Sequence, residues 1–167
     1  MNIHFSSENE CWSTPQTFFD KLNDRFDFTL DPCAHENTAK CKKYFTEKED
    51  GLAQKWTGRV FMNPPYGRKI GSWMKKARES VQNGDCELVV CLVPSRTDTI
   101  WFWENIFECD FAKIEFQKGR LVFGTNEYWK NLWNSEFKKD GRKNPLFQKF
   151  GRKDAAPFPS VVVIYKK

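Results

Sequence analysis

The chain has 167 residues, a formal charge of +5, six cysteines and 16% aromatic side chains. That length suits one domain with a real core, while no apolar run is long enough for a membrane span and no basic-then-apolar leader opens the chain. The cysteines (Cys11, Cys33, Cys41, Cys86, Cys91, Cys109) form no regular framework, which points to a reduced cytoplasmic protein. Cys33, His35 and Cys41 lack the fourth ligand of a tetrahedral site, so no metal is expected.

Residues 1–13 are polar. Thr14-Pro15 predicts a helix start, with Thr14 as cap and Pro15 at the first helical position. Phe18, Phe19, Leu22 and Phe26 then fall at helical spacing and give one apolar face. Phe26 to Leu30 predicts a strand that ends in Asp31-Pro32-Cys33-Ala34. A carboxylate at a strand mouth suits a ribose hydroxyl or a ligand ammonium; on local grounds it could equally cap a turn. Residues 35–49 are polar, with Tyr44-Phe45 as anchors, and Asp50-Gly51-Leu52 and Trp56 follow. Only 31 residues separate Asp31 from Met62. A parallel crossover with its helix needs about a dozen or more, so this interval holds at most one shortened unit.

Val60 to Met62 predicts the end of a buried strand, and Pro64-Pro65 stops it because proline donates no backbone hydrogen bond. Asn63-Pro64-Pro65-Tyr66 thus puts an amide, stiffly held carbonyls and an aromatic plate at the carboxyl edge of the sheet, where open α/β sheets bind ligands. That set suits an exocyclic amino group on a planar ring. Asn63 Oδ1 and the Asn63 or Pro64 carbonyl accept its protons, Tyr66 stacks on the ring, and the amine lone pair faces a methyl sulfonium. Asn63 has no useful basicity, so it orients the amine, and catalysis rests on positioning and electrostatics. The same residues also read as a rigid loop.

Ile70, Trp73, Met74, Ala77 and Val81 predict a helix closed by Gly84. Leu88 to Val93 is a continuous apolar run, the pattern of a central strand covered on both faces. It ends in the loop Pro94-Ser95-Arg96-Thr97-Asp98. Asp98 is expected to cap a short helix whose Trp101, Phe102, Trp103, Ile106 and Phe107 surround the axis, which predicts a largely buried element. Ala112, Ile114 and Phe116 pair with Arg120 to Phe123 in a predicted hairpin about Lys118-Gly119, and Val161 to Tyr165 supplies a last strand. The alternation predicts a single α/β domain over residues 1–167: a compact three-layer α/β/α Rossmann-like sandwich, mostly parallel, with an antiparallel C-terminal strand.

The segment at about 125–153 is expected to be an insertion. Its eight basic residues (Lys130, Lys138, Lys139, Arg142, Lys143, Lys149, Arg152, Lys153) against Glu127, Glu136 and Asp140 carry the chain's whole net charge. Tyr128, Trp129, Trp133, Phe137, Phe147 and Phe150 are interleaved with them. Cations for phosphates plus aromatics for bases make a nucleic-acid-binding composition; a solvated loop with its aromatics packed back is the other reading.

Trp12-Ser13-Thr14-Pro15-Gln16, Leu30-Asp31-Pro32-Cys33-Ala34, Asp50-Gly51-Leu52, Asn63-Pro64-Pro65-Tyr66-Gly67, Pro94 to Thr99, Gly119 to Phe123 and Ala156-Pro157-Phe158-Pro159-Ser160 follow one another in the order that resembles phage-type DNA N-6-adenine methyltransferases. The resemblance covers roughly residues 11–124 and 155–165. It implies S-adenosylmethionine as donor, the N6 of a DNA adenine as acceptor, and a setting in the cytoplasm of a bacterial host. It implies a catalytic loop of Asn63, Pro64, Pro65 and Tyr66. Around the donor it implies Thr14, Pro15, Asp31, Asp50, Leu52 and Asn63, with Asp31 on the methionine ammonium or the ribose and Asp50 on the donor's adenine. The glycine-rich loop usual in the wider class is missing after Asp31. Arg96, Lys138, Lys139, Arg142 and Lys143 are the candidate DNA contacts. Other acceptors for the same loop are cytosine N4, RNA adenine or a protein glutamine amide, and a non-catalytic DNA-binding domain is the reading of a different class.

Overall fold

A computed structural model describes residues 12–123, 156 and 158–167. The basic segment, with Lys138, Lys139, Arg142 and Lys143, lies outside the described residues. The elements are α1 (Gln16–Phe26), β1 (Leu30–Asp31), β2 (Lys43–Tyr44), β3 (Gly58–Met62), α2 (Ile70–Gln82), β4 (Cys86–Pro94), α3 (Ile100–Phe102, running into a π-helical turn Trp103–Phe107), β5 (Ala112–Phe116) and β6 (Ser160–Tyr165). The six strands form one sheet in the order β2-β1-β3-β4-β6-β5. Pairing is parallel from β2 through β4, and β6 runs antiparallel to both β4 and β5. This is the expected mixed, mostly parallel sheet.

Strand alternation divides the core in two. On one face Val60, Met62, Val89, Cys91, Val161 and Val163 meet Trp73, Met74 and Ala77 of α2 and Phe102 and Ile106 beyond it. On the other, Phe61, Val90, Leu92, Val162 and Ile164 meet Phe19 and Leu22 of α1. Both faces of β4 and β6 are therefore covered, as their unbroken apolar runs require. Among the described residues no helix is long and apolar enough to cross a membrane.

Several local expectations are corrected. Pro15, not Thr14, occupies the cap of α1, and no side chain caps that end. Phe26 is the last helical residue and Asp27 leaves in the left-handed conformation (φ 50°), so the strand shrinks to Leu30–Asp31. Residues 112–116 do not pair with 120–123. They pair with β6, because the apolar run of β6 supplies a full ladder that the short segment after Gly119 cannot match. The segment after β4 is not largely buried either: Phe102 and Ile106 point inward, while Ile100, Trp103 and Phe107 stay exposed. Asp98 does not cap it; Thr99 holds that place, its hydroxyl donating to the Arg96 carbonyl at 2.7 Å. The interval from β1 to β3 holds the single two-residue strand β2 and no helix, within the limit its length sets.

Without a crossover helix, that interval is held by close packing. Trp56, 1% exposed, donates its indole N–H to the Gly51 carbonyl at 2.7 Å. A Cβ at Gly51 would overlap the Pro32 carbonyl oxygen and press on Trp73 at 3.1 Å. Glycine is thus what lets the Asp50-Gly51-Leu52 loop lie against the Asp31-Pro32 turn. Gly51→Ala is expected to destabilise the protein by about 1–3 kcal/mol, the usual cost of overpacking. Thermal denaturation checks this, and an unchanged midpoint would refute the close approach.

Candidate active site

β3 and β4 both end at one edge of the sheet, and the loops that follow carry Asn63 and Arg96. At that edge Asn63 is half-buried and its amide is held from one side only. Nδ2 donates to the backbone carbonyl of Trp12, and to Thr14 Oγ1 at 2.9 Å. A carbonyl can only accept, so the amino side of the amide must face Trp12. Asn63 Oδ1 is left buried with no hydrogen-bond partner. An unpaired buried acceptor costs roughly 1–3 kcal/mol, and native structures retain such groups where a ligand or function satisfies them. The Asn63 carbonyl accepts from the Cys33 thiol at 3.2 Å, tying the loop to the turn after β1.

Tyr66 donates its hydroxyl to the Leu92 carbonyl at 3.2 Å, and burial pushes its phenol well above the usual range. It therefore offers a ring and no acid–base chemistry. The ring meets Phe158 edge-on at 5.5 Å and Phe123 at 6.2 Å. Trp12 touches the same two phenylalanines at 5.3 and 5.5 Å, and these touch each other at 6.0 Å. Four distant motifs thus converge on one aromatic wall beside Asn63. Phe123 and Ala156 flank the undescribed basic segment, and the Ala156 N–H donates to the Leu121 carbonyl at 2.8 Å. The chain consequently leaves for that segment, and returns from it, next to Tyr66.

Asp31 ends β1 and is 5% exposed. Its carboxylate accepts the Lys40 N–H at 3.1 Å and, weakly, the Cys33 N–H at 3.4 Å. Desolvation outweighs these bonds and the nearby Lys40 charge, raising its pKa to about 6. Such a carboxylate is short of positive charge. Lys40 reaches across to Gln16 Oε1 at 2.8 Å, and burial lowers its pKa against the opposing pull of Asp31. Asp50 is exposed in a left-handed turn (φ 51°), its Oδ1 accepting the Leu52 N–H at 3.2 Å. Leu52 packs on the core cluster around Trp73. Thr14, Pro15, Asp31 and Asn63 are therefore gathered at one edge, with the Asp50 loop packed against the Asp31 turn. Arg96 is half-buried and Asp98 exposed in the loop after β4. Among the described residues no cluster of His, Cys, Asp or Glu is fit to hold a metal.

A profile of DNA N-6-adenine-methyltransferases (Dam) matches residues 4–146. The chain belongs to this family. The match takes in most of the basic segment, which the motif resemblance leaves out, and ends before Ala156. A DNA N-6-adenine-methyltransferase of Haemophilus phage HP1 is 32% identical over 99 residues, covering 58% of this chain and 56% of the relative. The chain thus aligns with little more than half of that phage protein. A protein of Escherichia coli K12 named as a methyltransferase, YfdM, is 36% identical over 63 residues, 33% of this chain and 69% of its own length.

The structure brings Thr14, Pro15, Asp31 and Asn63 to one edge, and sequence reasoning missed the bonds between them. Thr14 reads from sequence as a helix cap, yet its hydroxyl and the Trp12 carbonyl fix the Asn63 amide. Phe123 and Phe158 carry no chemistry of their own and only topology makes them a wall.

Thr14→Val keeps the shape and removes one of the two partners of Asn63 Nδ2. A fall in turnover of about tenfold is expected at saturating donor, the worth of one hydrogen bond. Equal turnover would mean that the Trp12 carbonyl alone positions the amide.

For Asp31 the folded-state pKa of about 6 lies above the ordinary carboxylate value. Its contribution to stability is therefore complete below about pH 4 and is lost as pH rises through 6. The protein alone should lose stability between about pH 4 and 6.5, and Asp31→Asn should flatten that slope in urea denaturation. A wild-type slope in the Asn variant would remove the desolvated carboxylate from the account.

Proposed function

We propose that this protein transfers a methyl group from S-adenosylmethionine to the exocyclic N6 of adenine in DNA. Family membership and the name of the phage relative support the reaction class. The observation that carries the reading to this chain's own residues is the Asn63 amide, with Nδ2 engaged and Oδ1 unpaired at the sheet edge. That oxygen accepts one N–H of the target amine. The Asn63 carbonyl already takes the Cys33 thiol, so the Pro64 carbonyl is the better second acceptor, held rigid by the following proline. With both protons engaged, the nitrogen lone pair is turned out of the ring plane, ready for in-line attack. Tyr66 and its neighbours give the base an apolar wall.

The donor fits the residues present. A buried carboxylate short of positive charge suits a ligand carrying an ammonium and a sulfonium, and when bound the donor supplies an activated methyl group. Asp31 then faces the methionine ammonium. Its burial favours that role over a ribose hydroxyl, because a neutral hydroxyl would leave the desolvated charge uncompensated. Thr14 and Pro15 border the same end, and Asp50 with Leu52 borders the donor's adenine. Arg96, Lys138, Lys139, Arg142 and Lys143 grip the DNA phosphates. The family match through most of the basic segment supports that assignment.

The test is mass analysis of digested DNA after incubation with the protein and S-adenosylmethionine. N6-methyladenine is the expected product; N4-methylcytosine would move the same loop to another base, and no methylated base would leave a binding domain. Asn63→Ala should slow the reaction roughly a hundred- to a thousand-fold, as loss of a preorganised hydrogen-bonding group does, while the donor still binds. Wild-type turnover in a folded variant would sink the assignment.

A further inference from the structure

Besides Asn63 Oδ1, a second buried polar atom near this edge lacks a partner: the hydroxyl of Ser160, a residue 2% exposed. Ser160 opens β6 opposite Pro94, the last residue of β4. Its backbone is pinned, since its carbonyl accepts the Gln117 N–H at 3.3 Å and the preceding Pro159 carbonyl accepts the Ser95 N–H at 2.9 Å. Alternation fixes its face. Val162, two residues on, lies on the α1 side with Leu92 and Phe61, so Ser160 lies on that side too. Asn63, two residues beyond Phe61, does likewise.

Asn63 and Ser160 thus stand on one face of one sheet edge, with β4 between them. Two strand spacings and a two-residue offset along β4 put their backbones roughly 12 Å apart, the order of one heterocycle with a hydrogen-bonding side chain at either end. Tyr66 reaches the strand between them, its hydroxyl on the Leu92 carbonyl and its ring against Phe158, two residues before Ser160. We infer that Ser160 is a specificity-determining contact to the target base, its hydroxyl donating to a ring nitrogen while Asn63 holds the exocyclic amine. The inference rests on the adenine-methylation reading and deepens it. An amine is common to adenine and cytosine, so Asn63 alone cannot tell them apart; a donor fixed at a set distance from it can. No atom in the described structure gives this hydroxyl another occupation.

The test pairs Ser160→Ala with base analogues. Oligonucleotides carrying the methylated sequence found in the product digest are made with adenine, 1-deazaadenine, 3-deazaadenine or 7-deazaadenine at the target, each deaza analogue lacking one ring acceptor. One analogue should lower wild-type kcat/KM about tenfold. Ser160→Ala should be about tenfold slower on adenine, with no further loss on that analogue and unchanged penalties on the other two. Its melting temperature should equal or exceed that of the wild type, because it deletes an unsatisfied group. Ser160→Cys, which keeps the volume with a weaker donor, should fall between. Equal penalties for all analogues in both proteins, or wild-type kinetics in Ser160→Ala, would overturn the inference while leaving the methylation reading intact. A clear drop in melting temperature would overturn it too, by giving the hydroxyl a structural partner. Absence of N6-methyladenine from the wild type would instead remove the reading beneath it.

Discussion

The bonds from Asn63 Nδ2 to the Trp12 carbonyl and the Thr14 hydroxyl decide which way the amide faces, and much of the architecture keeps them in place. Trp12 and Thr14 precede α1, and α1 must lie on the β3–β4–β6 face for them to reach Asn63. Phe19 and Leu22 hold it there against Phe61, Val90 and Leu92. At its other end Arg25 forms two 2.9 Å bonds to Glu115 of β5, holding that carboxyl near a pKa of 2. An exposed pair of this kind adds little stability. Its use here is geometric, since it fixes the far end of the helix whose near end positions the amide.

Much of this fold can be read from the sequence because its central strands are unambiguous. Leu88 to Val93 and Val161 to Tyr165 are apolar without interruption, and only a position with both faces covered uses such a run. Departures occur where a local signal had a stronger competitor. Thr14 is a good cap by composition, but its hydroxyl is taken by Asn63. Ala112 to Phe116 had a nearby turn and a nearby strand-like segment, yet the longer β6 offered a better ladder. The helix after β4 has aromatics all round and still exposes Trp103 and Phe107, because composition does not say which side the sheet occupies.

The residues gathered at this edge were legible as motifs and not as a geometry. Asn63 and Tyr66 announce themselves by chemistry. The aromatic wall does not: Trp12, Phe123 and Phe158 come from three ends of the chain and meet only because α1, the segment after β5 and the entry to β6 converge on one edge. Tyr66 also shows the limit of reading roles from residue type. Its phenol could act as an acid or base by composition, and burial with a bond to Leu92 excludes that.

The short interval between β1 and β3 explains how the Asp31 turn is held in place without a glycine-rich loop. In larger sheets that loop brings backbone close to the ligand. Here the close approach is made instead between two loops, Gly51 lying against the Pro32 carbonyl and Trp56 bonded to Gly51. The Asp31 turn is thereby fixed from behind, and its carboxylate is desolvated by protein and not by ligand alone. A charge held this way is costly in the free protein, and the proposed cationic donor would compensate it. Donor binding should thus draw part of its strength from relieving that cost, and the relief grows as pH rises through the range where Asp31 ionises.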